Sequence, residues 1–506
     1  MENNEWVREL LDDDKFHDEC GVIGIMSPGQ KNVAKDIYFG LHSLQHRGQE
    51  SAGIASNMYG NINCYKEMGL VQEVFDDDIM SKLPGDIGIG HVRYSTAGGS
   101  RVINAQPIVV YSKYGSLAIA HNGNLVNAVA MRNQMEDQGY IFQTDIDTEV
   151  IAALIARNLR NGTLEEAVSK TCLMAQGGFA LVMTMGSKLI GVRDPHGIRP
   201  LCIGKTENGY ILSSESCVFA LQGAEFVRDV KPGEMVVFED GEMKSIMYGS
   251  AECRMCSFEY VYFARTDSFI DGIGVYQSRR KAGRILARAD KDDTDADLVI
   301  AVPDSGTVAA IGYAEESGIP FGEGFIKNRY VGRTFIQPTQ EMRELSVMMK
   351  LNVLKGNIEG KRIVMIDDSI VRGTTSVKIV KMLRKAGVKE IHMRISSPPV
   401  AYPCYMGIDT PDRDKLMAAN KTVEEMRKHI GVDSLKFLPV DGLKKCIGLG
   451  DNICTACFTG EYPVELIDQN YDTNKLYNDD RMVGEYDDLH PEQNADGLNP
   501  IQRNRN

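Results

Sequence analysis

The chain has 506 residues, and at roughly 100–200 residues per domain it should hold two to four domains. Hydrophobic side chains make up 43% of it, enough for sizeable cores. Lys and Arg number 56 against 70 Asp and Glu, a formal net charge of -14 that excludes a broad basic nucleic-acid surface but not a local pocket for one phosphorylated metabolite.

In chain order, residues 1–19 carry eight acids and two bases. They lack the basic start and apolar middle of a secretory signal, and no later apolar run approaches the ~18 residues of a membrane span. A cytoplasmic chain with no membrane partner is expected. Its eleven cysteines should then stay mostly reduced, so spaced pairs read as metal or redox chemistry before disulfides.

From Cys20 to about Phe238 the segments are short and β-rich: residues 20–25, 87–91, 117–121 and 179–183. Helix-like apolar stretches intervene at residues 31–46 and 148–158, and the mixture predicts an α+β domain with packed sheets. A cysteine such as Cys20 in an apolar strand is usually a buried hydrophobe. Alone, His121-Asn-Gly-Asn124 is an ordinary turn. With Gln45-His-Arg-Gly-Gln49, Gly90-His-Val-Arg-Tyr-Ser-Thr96 and Asp145-Ile-Asp-Thr-Glu149, these motifs resemble class II glutamine amidotransferases, members of the N-terminal-nucleophile hydrolases. The resemblance implies cleavage before Cys20, whose freed α-amine (pKa ~7.7–8) takes the thiol proton so that the thiolate attacks the glutamine amide. It gives the oxyanion hole to Asn122 and the Gly123 N–H, the glutamine α-carboxylate to Arg93 and the α-ammonium to Asp147.

After about Tyr260 the pattern changes. Asp297-Leu-Val-Ile-Ala-Val302, Arg362-Ile-Val-Met-Ile366 and Glu390-Ile-His-Met-Arg-Ile395 are apolar runs, the second followed by a loop and a helical stretch over residues 376–386. This spacing predicts βαβ units on a parallel sheet, whose post-strand loops bind ligands. In Val364-Met-Ile-Asp-Asp-Ser-Ile-Val-Arg-Gly-Thr-Thr-Ser376 a strand ends on two acids, and a glycine with threonines opens a helix, which makes an anion site. Asp367 and Asp368 can hold ribose hydroxyls and a nearby Mg²⁺.

That segment resembles the phosphoribosyl-pyrophosphate (PRPP) signature of type I phosphoribosyltransferases. The resemblance implies PRPP contacts at Asp367, Asp368, Arg372, Gly373, Thr374, Thr375 and Ser376. It also implies a pyrophosphate loop, Val302-Pro-Asp-Ser-Gly306, with Ser305 a contact for Mg²⁺, beside Asp367 and Asp368, or for the pyrophosphate. A closing basic loop, Lys327-Asn-Arg-Tyr-Val-Gly-Arg-Thr-Phe335, would bring Lys327 and Arg333 to the phosphates.

Both motif sets in one chain resemble the glutamine PRPP amidotransferase family, whose substrates are glutamine and PRPP and whose product, 5-phosphoribosylamine, opens de novo purine synthesis. The implied architecture is a propeptide at 1–19, then an α+β N-terminal-nucleophile hydrolase domain of stacked sheets between helices at 20–255. An α/β type I phosphoribosyltransferase domain with a mainly parallel sheet follows at 256–470, and a polar tail at 471–506. A homotetramer inhibited by purine nucleotides is also implied. The family's Phe-Glu-Tyr-Val-Tyr-Phe-Ala-Arg stretch stands at residues 258–265, with Thr266 where a proline is usual. By spacing alone, Cys253-Arg-Met-Cys256 and Cys454-Thr-Ala-Cys457 read as a four-cysteine zinc site. The family's iron–sulfur branch implies instead a [4Fe–4S] cluster on Cys256, Cys404, Cys454 and Cys457. Two competing functions are a phosphoribosyltransferase that uses free ammonia, its first half a scaffold, and a non-catalytic purine-responsive or iron–sulfur sensor.

Overall fold

The computed structural model describes residues 20–94, 99–290, 295–327, 351–410 and 412–466. The expectations for residues 1–19, for Arg333 and the loop beyond Lys327, and for the tail from Tyr471 lie outside the described residues.

The first half runs through β1 (Gly21–Met26), β2 (Ser51–Met58), β3 (Asn61–Met68), β4 (Ile87–Arg93), β5 (Ile108–Ser112), β6 (Gly115–Leu125), β7 (Gly177–Met185), β8 (Lys188–Arg193), β9 (Cys202–Lys205), β10 (Tyr210–Ser213), β11 (Glu225–Asp229), β12 (Glu234–Glu239) and β13 (Glu242–Met247). They form two sheets, ordered β11-β9-β10-β1-β4-β2-β3 and β13-β12-β8-β7-β6-β5. Side chains alternate across each strand. On β1, Val22 and Met26 share a core with Ala118, Ala120, Val182 and Phe238 of the facing sheet. Ile23 and Ile25 point the other way, to Ile37 and Leu41 of the helix Ala34–Ser43. Behind the second sheet, Ile119, Leu181 and Met183 pack on Ile151 and Ile155 of the helix Asp147–Asn158. The layers are therefore helix, sheet, sheet, helix, as expected.

Two local expectations change. The helix expected over 31–46 is shorter, and Gln45–Arg47 forms a separate 3-10 turn. His121-Asn-Gly-Asn124 is not a turn: β6 runs straight through it, with Asn122 opposite Ala180 and Gly123 opposite Phe179. Gly123 has φ +140, and a Cβ there would lie 1.9 Å from the Gly178 carbonyl oxygen. Only glycine lets the two backbones meet in this way.

The second half opens with β14 (Met255–Cys256) and the hairpin of β15 (Phe269–Ile270) and β16 (Ile273–Gly274). Next come β17 (Leu298–Ala301), the antiparallel pair β18 (Phe325–Lys327) and β19 (Leu351–Val353), β20 (Arg362–Asp367), β21 (Glu390–Ile395), β22 (Ser434–Phe437) and β23 (Ile453–Cys454). The main sheet, β17-β20-β21-β22, is parallel throughout. Its fourth strand, Ser434-Leu-Lys-Phe437, is too short and too polar to stand out in the sequence. Leu298, Ile300, Ile363 and Met365 face Ile379 and Leu383 of the helix Thr374–Lys385. Val299, Ala301, Val364 and Ile366 face Leu286 and Tyr313 on the helices Val275–Ala289 and Thr307–Ser317. Both faces are covered, which is why these strands read as continuous apolar runs.

Candidate active sites

Cys20 immediately precedes β1 and is buried, at 8% exposure. Its Sγ donates to the Tyr94 carbonyl at 3.5 Å. Burial pushes the thiol up to about 11; among nearby charges Arg93 pulls it back, while Glu50 and Asp147 add to the rise. These groups therefore lie within electrostatic reach of the sulfur. Arg93 closes β4 and donates from Nη1 to Glu50 Oε1 at 3.0 Å. Asp147 opens its helix, with Oδ1 at 3.2 Å from His121 Nδ1 and Oδ2 accepting the Leu125 N–H at 3.1 Å. Burial opposes its charge, but His121 and the backbone donors outweigh it and hold the carboxyl below the usual range.

Asn122 is fully buried on β6, and neither amide atom has a partner among the described residues. Leaving a buried amide unpaired costs about 1–3 kcal/mol, so such a group calls for an explanation. An amide donor held without an acceptor suits an oxyanion that exists only during reaction. His91, on β4, reaches the His121 carbonyl with Nε2 at 3.1 Å and ties one sheet to the other. Burial drops it to about 3, so it is neutral near pH 7. Neither His91 nor His121 had a role in the motif reading, although both stand inside the quoted motifs.

The second cluster sits on loops. β17 and β20 are neighbours with Ala301 opposite Ile366, so residues 302–306 and 367–373 rise from the same end of the sheet. Asp367 and Asp368 are buried there, and Asp367 Oδ1 accepts the Asp368 N–H at 2.9 Å. Ser305 lies in the adjacent loop, just before the helix Thr307–Ser317. Gly373 caps the helix Thr374–Lys385 in the left-handed region, φ +83, which turns Thr374, Thr375 and Ser376 into its first turn. The backbone N–H groups of such a turn attract a phosphate. Lys327 ends β18 and pairs with Asp304 Oδ2 at 2.7 Å, so it sits beside the 302–306 loop.

The cysteines separate into two places. β14 and β23 pair in parallel with Cys256 opposite Cys454. The Ala401 and Tyr402 N–H groups both donate to the Cys457 carbonyl, at 3.0 and 3.1 Å, and lead the chain to Cys404. Burial raises the Cys457 thiol, and Cys454, Cys404 and Cys256 raise it further, so the four sulfurs share one neighbourhood. Cys253 instead feels Asp271 and Arg193. Among the described residues no three Cys, His, Asp or Glu side chains close on a single ion. A tetrahedral zinc needs four sulfurs within ~2.3 Å of one centre, whereas a cluster spreads its thiolates over separate irons. Four thiols in one neighbourhood can supply the thiolates that either a zinc site or a cluster needs.

Between the two clusters runs a buried charge seam that the motifs did not reveal. Arg47 Nε donates to the Cys20 carbonyl at 3.2 Å. Its Nη1 reaches Glu215 Oε1 at 2.6 Å, and its Nη2 reaches Glu259 Oε1 at 2.6 Å. Glu215 also holds His46 at 2.7 Å, the Arg265 N–H at 2.9 Å and the Ser268 hydroxyl at 2.7 Å. Arg279 follows, donating to the Tyr260, Tyr262 and Ala264 carbonyls. Burial lowers Arg279 to about 10 against the opposing charges of Asp368, Glu215 and Glu259. The 258–265 stretch thus packs as a buried joint, with Glu259 as its ionic anchor.

Comparison with known proteins agrees with both halves. A glutamine amidotransferase domain family matches residues 91–220, and a phosphoribosyl transferase domain family matches residues 275–396. The chain is 51% identical over 464 residues to the amidophosphoribosyltransferase of Methanocaldococcus jannaschii, covering 88% of this chain and 98% of that one. It is 50% identical over 458 residues to the Bacillus subtilis amidophosphoribosyltransferase, covering 89% and 95%. The solved glutamine PRPP amidotransferase of B. subtilis, complexed with ADP and GMP, superposes with a TM-score of 0.84 at 48% identity, covering 90% of this chain and 100% of that one.

Proposed function

The chain belongs to the amidophosphoribosyltransferase family, which uses glutamine and PRPP in the first step of purine biosynthesis, and from that premise we propose a division of labour among its residues. Removal of residues 1–19 frees the Cys20 α-amine, whose ordinary pKa of ~7.7–8 suits it to take the proton of a thiol that burial makes a weak acid. The thiolate attacks the glutamine amide carbon. Arg93 holds the substrate α-carboxylate and Asp147 its α-ammonium. The Asn122 amide and the Gly123 N–H donate to the developing oxyanion, and the protonated α-amine returns its proton to the leaving nitrogen. Water then releases glutamate from the Cys20 thioester. The unpartnered Asn122 amide is the observation that carries this assignment.

The ammonia attacks C1 of PRPP and displaces pyrophosphate. Asp367 and Asp368 hold the ribose hydroxyls, and the first turn from Gly373 through Thr374, Thr375 and Ser376 holds the phosphate, with Arg372 alongside. Ser305, Asp367 and Asp368 would hold Mg²⁺, which supplies charge neutralisation at the pyrophosphate. Lys327 and Arg333 close over PRPP. Cys256, Cys404, Cys454 and Cys457 would hold a [4Fe–4S] cluster whose ligation adds to folding free energy. The shared neighbourhood of those four thiols, with Cys253 elsewhere, supports this. Feedback by purine nucleotides is supported by the ADP and GMP in the B. subtilis relative. A homotetramer follows from the resemblance alone. No helix of the described residues is long and apolar enough to cross a membrane. The polar residues 1–19 and the free cysteines support a cytoplasmic location.

Intact mass and N-terminal sequencing of anaerobically purified protein test the maturation step. The active chain should begin at Cys20 and carry about four irons. An active enzyme that retains residues 1–19 contradicts the proposed base.

A further inference from the structure

One loop of the second half reaches the strand of the first half that carries Asn122 and Gly123. Asn124 donates from Nδ2 to the Tyr405 carbonyl at 2.9 Å. Buried Arg199 donates from Nε and Nη2 to the Met406 carbonyl at 2.9 and 2.5 Å. Gly407 adopts φ +113, and a Cβ there would lie 2.8 Å from Gly123 Cα and 2.9 Å from Gly123 C. On β7, a Cβ at Gly178 would lie 3.0 Å from the Met406 carbonyl oxygen. Gly123 is thus held between two backbones: Gly178 of its own sheet and Gly407 of the other half of the molecule.

We propose that the backbone of residues 405–407 is a positioning wall for the Asn122–Gly123 peptide, so that the second half completes the glutamine site from behind. This rests on the glutamine-site reading above. Oxyanion donors work because they are fixed where charge develops, and a displacement of about 1 Å can cost about 10²-fold in rate. No hydrogen bond among the described residues ties 405–407 to Cys20, Asp367 or Asp368, and the Met406 N–H donates to Cys404 Sγ at 3.3 Å. Their contribution therefore belongs to the turnover of bound glutamine, not to Cys20 reactivity or to PRPP chemistry.

The test compares the mature enzyme with Gly407→Ala and Asn124→Ala. A methyl at 407 has no room above Gly123 and a backbone conformation it rarely adopts, so glutamine-dependent kcat should fall by about 10²-fold. Asn124→Ala, which removes only the Tyr405 tether, should lower it by about 3–10-fold in the same direction. In both variants KM for glutamine should change less than kcat, because the lost interaction is made in the transition state. Ammonia-dependent synthesis, the rate of Cys20 alkylation by iodoacetamide and, with the Met406–Cys404 hydrogen bond left in place, iron content should stay at their unsubstituted values. Unchanged glutamine turnover in both variants overturns the proposal, and so does a parallel loss of ammonia-dependent synthesis in Asn124→Ala. If Gly407→Ala does not fold, Asn124→Ala decides by the same criteria. Cys20→Ala keeps the two claims apart: if it still hydrolyses glutamine, the site reading has failed, and otherwise only the wall is in question.

Discussion

Cys20, Arg93, Asn122 and Gly123 sit in or directly before regular antiparallel strands, whereas Ser305, Asp367, Asp368 and Gly373 sit on loops at the open end of a parallel sheet. The first arrangement is built into paired strands. Cys20, Arg93 and Asn122 are buried, the Asn122 amide has no partner among the described residues, and a loop from the other half presses on Gly123. The second arrangement collects its groups on post-strand loops, with the exposed Lys327–Asp304 pair at its rim. A site that stabilises a transient oxyanion gains from fixed donors. A site that binds a large anion gains from loops that can close on it.

The largest expected effect breaks the loop site and leaves the strand site standing. Asp367→Asn and Asp368→Asn should each lower product formation by about 10²-fold or more with either nitrogen donor, since both donors need the same bound ribose. Glutamine hydrolysis by Cys20 should persist in both. Steady-state assays with glutamine and with ammonium salts check this. If ammonia-dependent turnover is untouched in both variants, the PRPP assignment is wrong.

The two sites differed in legibility for the same structural reason. The PRPP groups lie in one strand–loop–helix segment, so residues 364–376 displayed them contiguously. The glutamine groups come together only through sheet register. His121-Asn-Gly-Asn124 looked like a turn because its strand conformation depends on Gly123 meeting Gly178 across β7. The Arg47 seam was invisible because Glu215 and Glu259 lie 168 and 212 positions away from their partner. Nothing local marks such a pairing. The parallel sheet was legible from its apolar runs, except for β22, whose four residues carry too little pattern.

That seam joins the contrasting regions, and breaking it should cost stability before it costs chemistry. Arg47, Glu215 and Glu259 have fully buried side chains. Arg47→Met would leave two carboxylates buried without their guanidinium, at a cost of about 3–5 kcal/mol. Thermal denaturation should show a large drop in Tm; a change within error would mean that water or other groups replace the pairing.

A smaller effect is expected with pH. Burial opposes the charge of Glu215, but His46 and Arg47 outweigh it and hold the carboxyl far below its ordinary range. With a depressed folded pKa, its stabilisation is fully present above ~4.3 and is lost as pH falls toward the folded value. The Tm of the native protein should therefore fall on acidification below that point. The same limb should be shallower in Glu215→Gln, and equal slopes would remove Glu215 from the account.

The smallest contrast concerns the cysteines. Cys404→Ser should lower iron content and Tm, while Cys253→Ser should leave both near the native values. Stoichiometric zinc that depends on Cys253 and not on Cys404 would reverse the assignment.

The most direct test of two cooperating sites is Cys20→Ala assayed with both nitrogen donors. The account predicts no glutamine-dependent 5-phosphoribosylamine and native-like synthesis from ammonia at high ammonium concentration. Retained glutamine use, or loss of both activities in a folded variant, would contradict it.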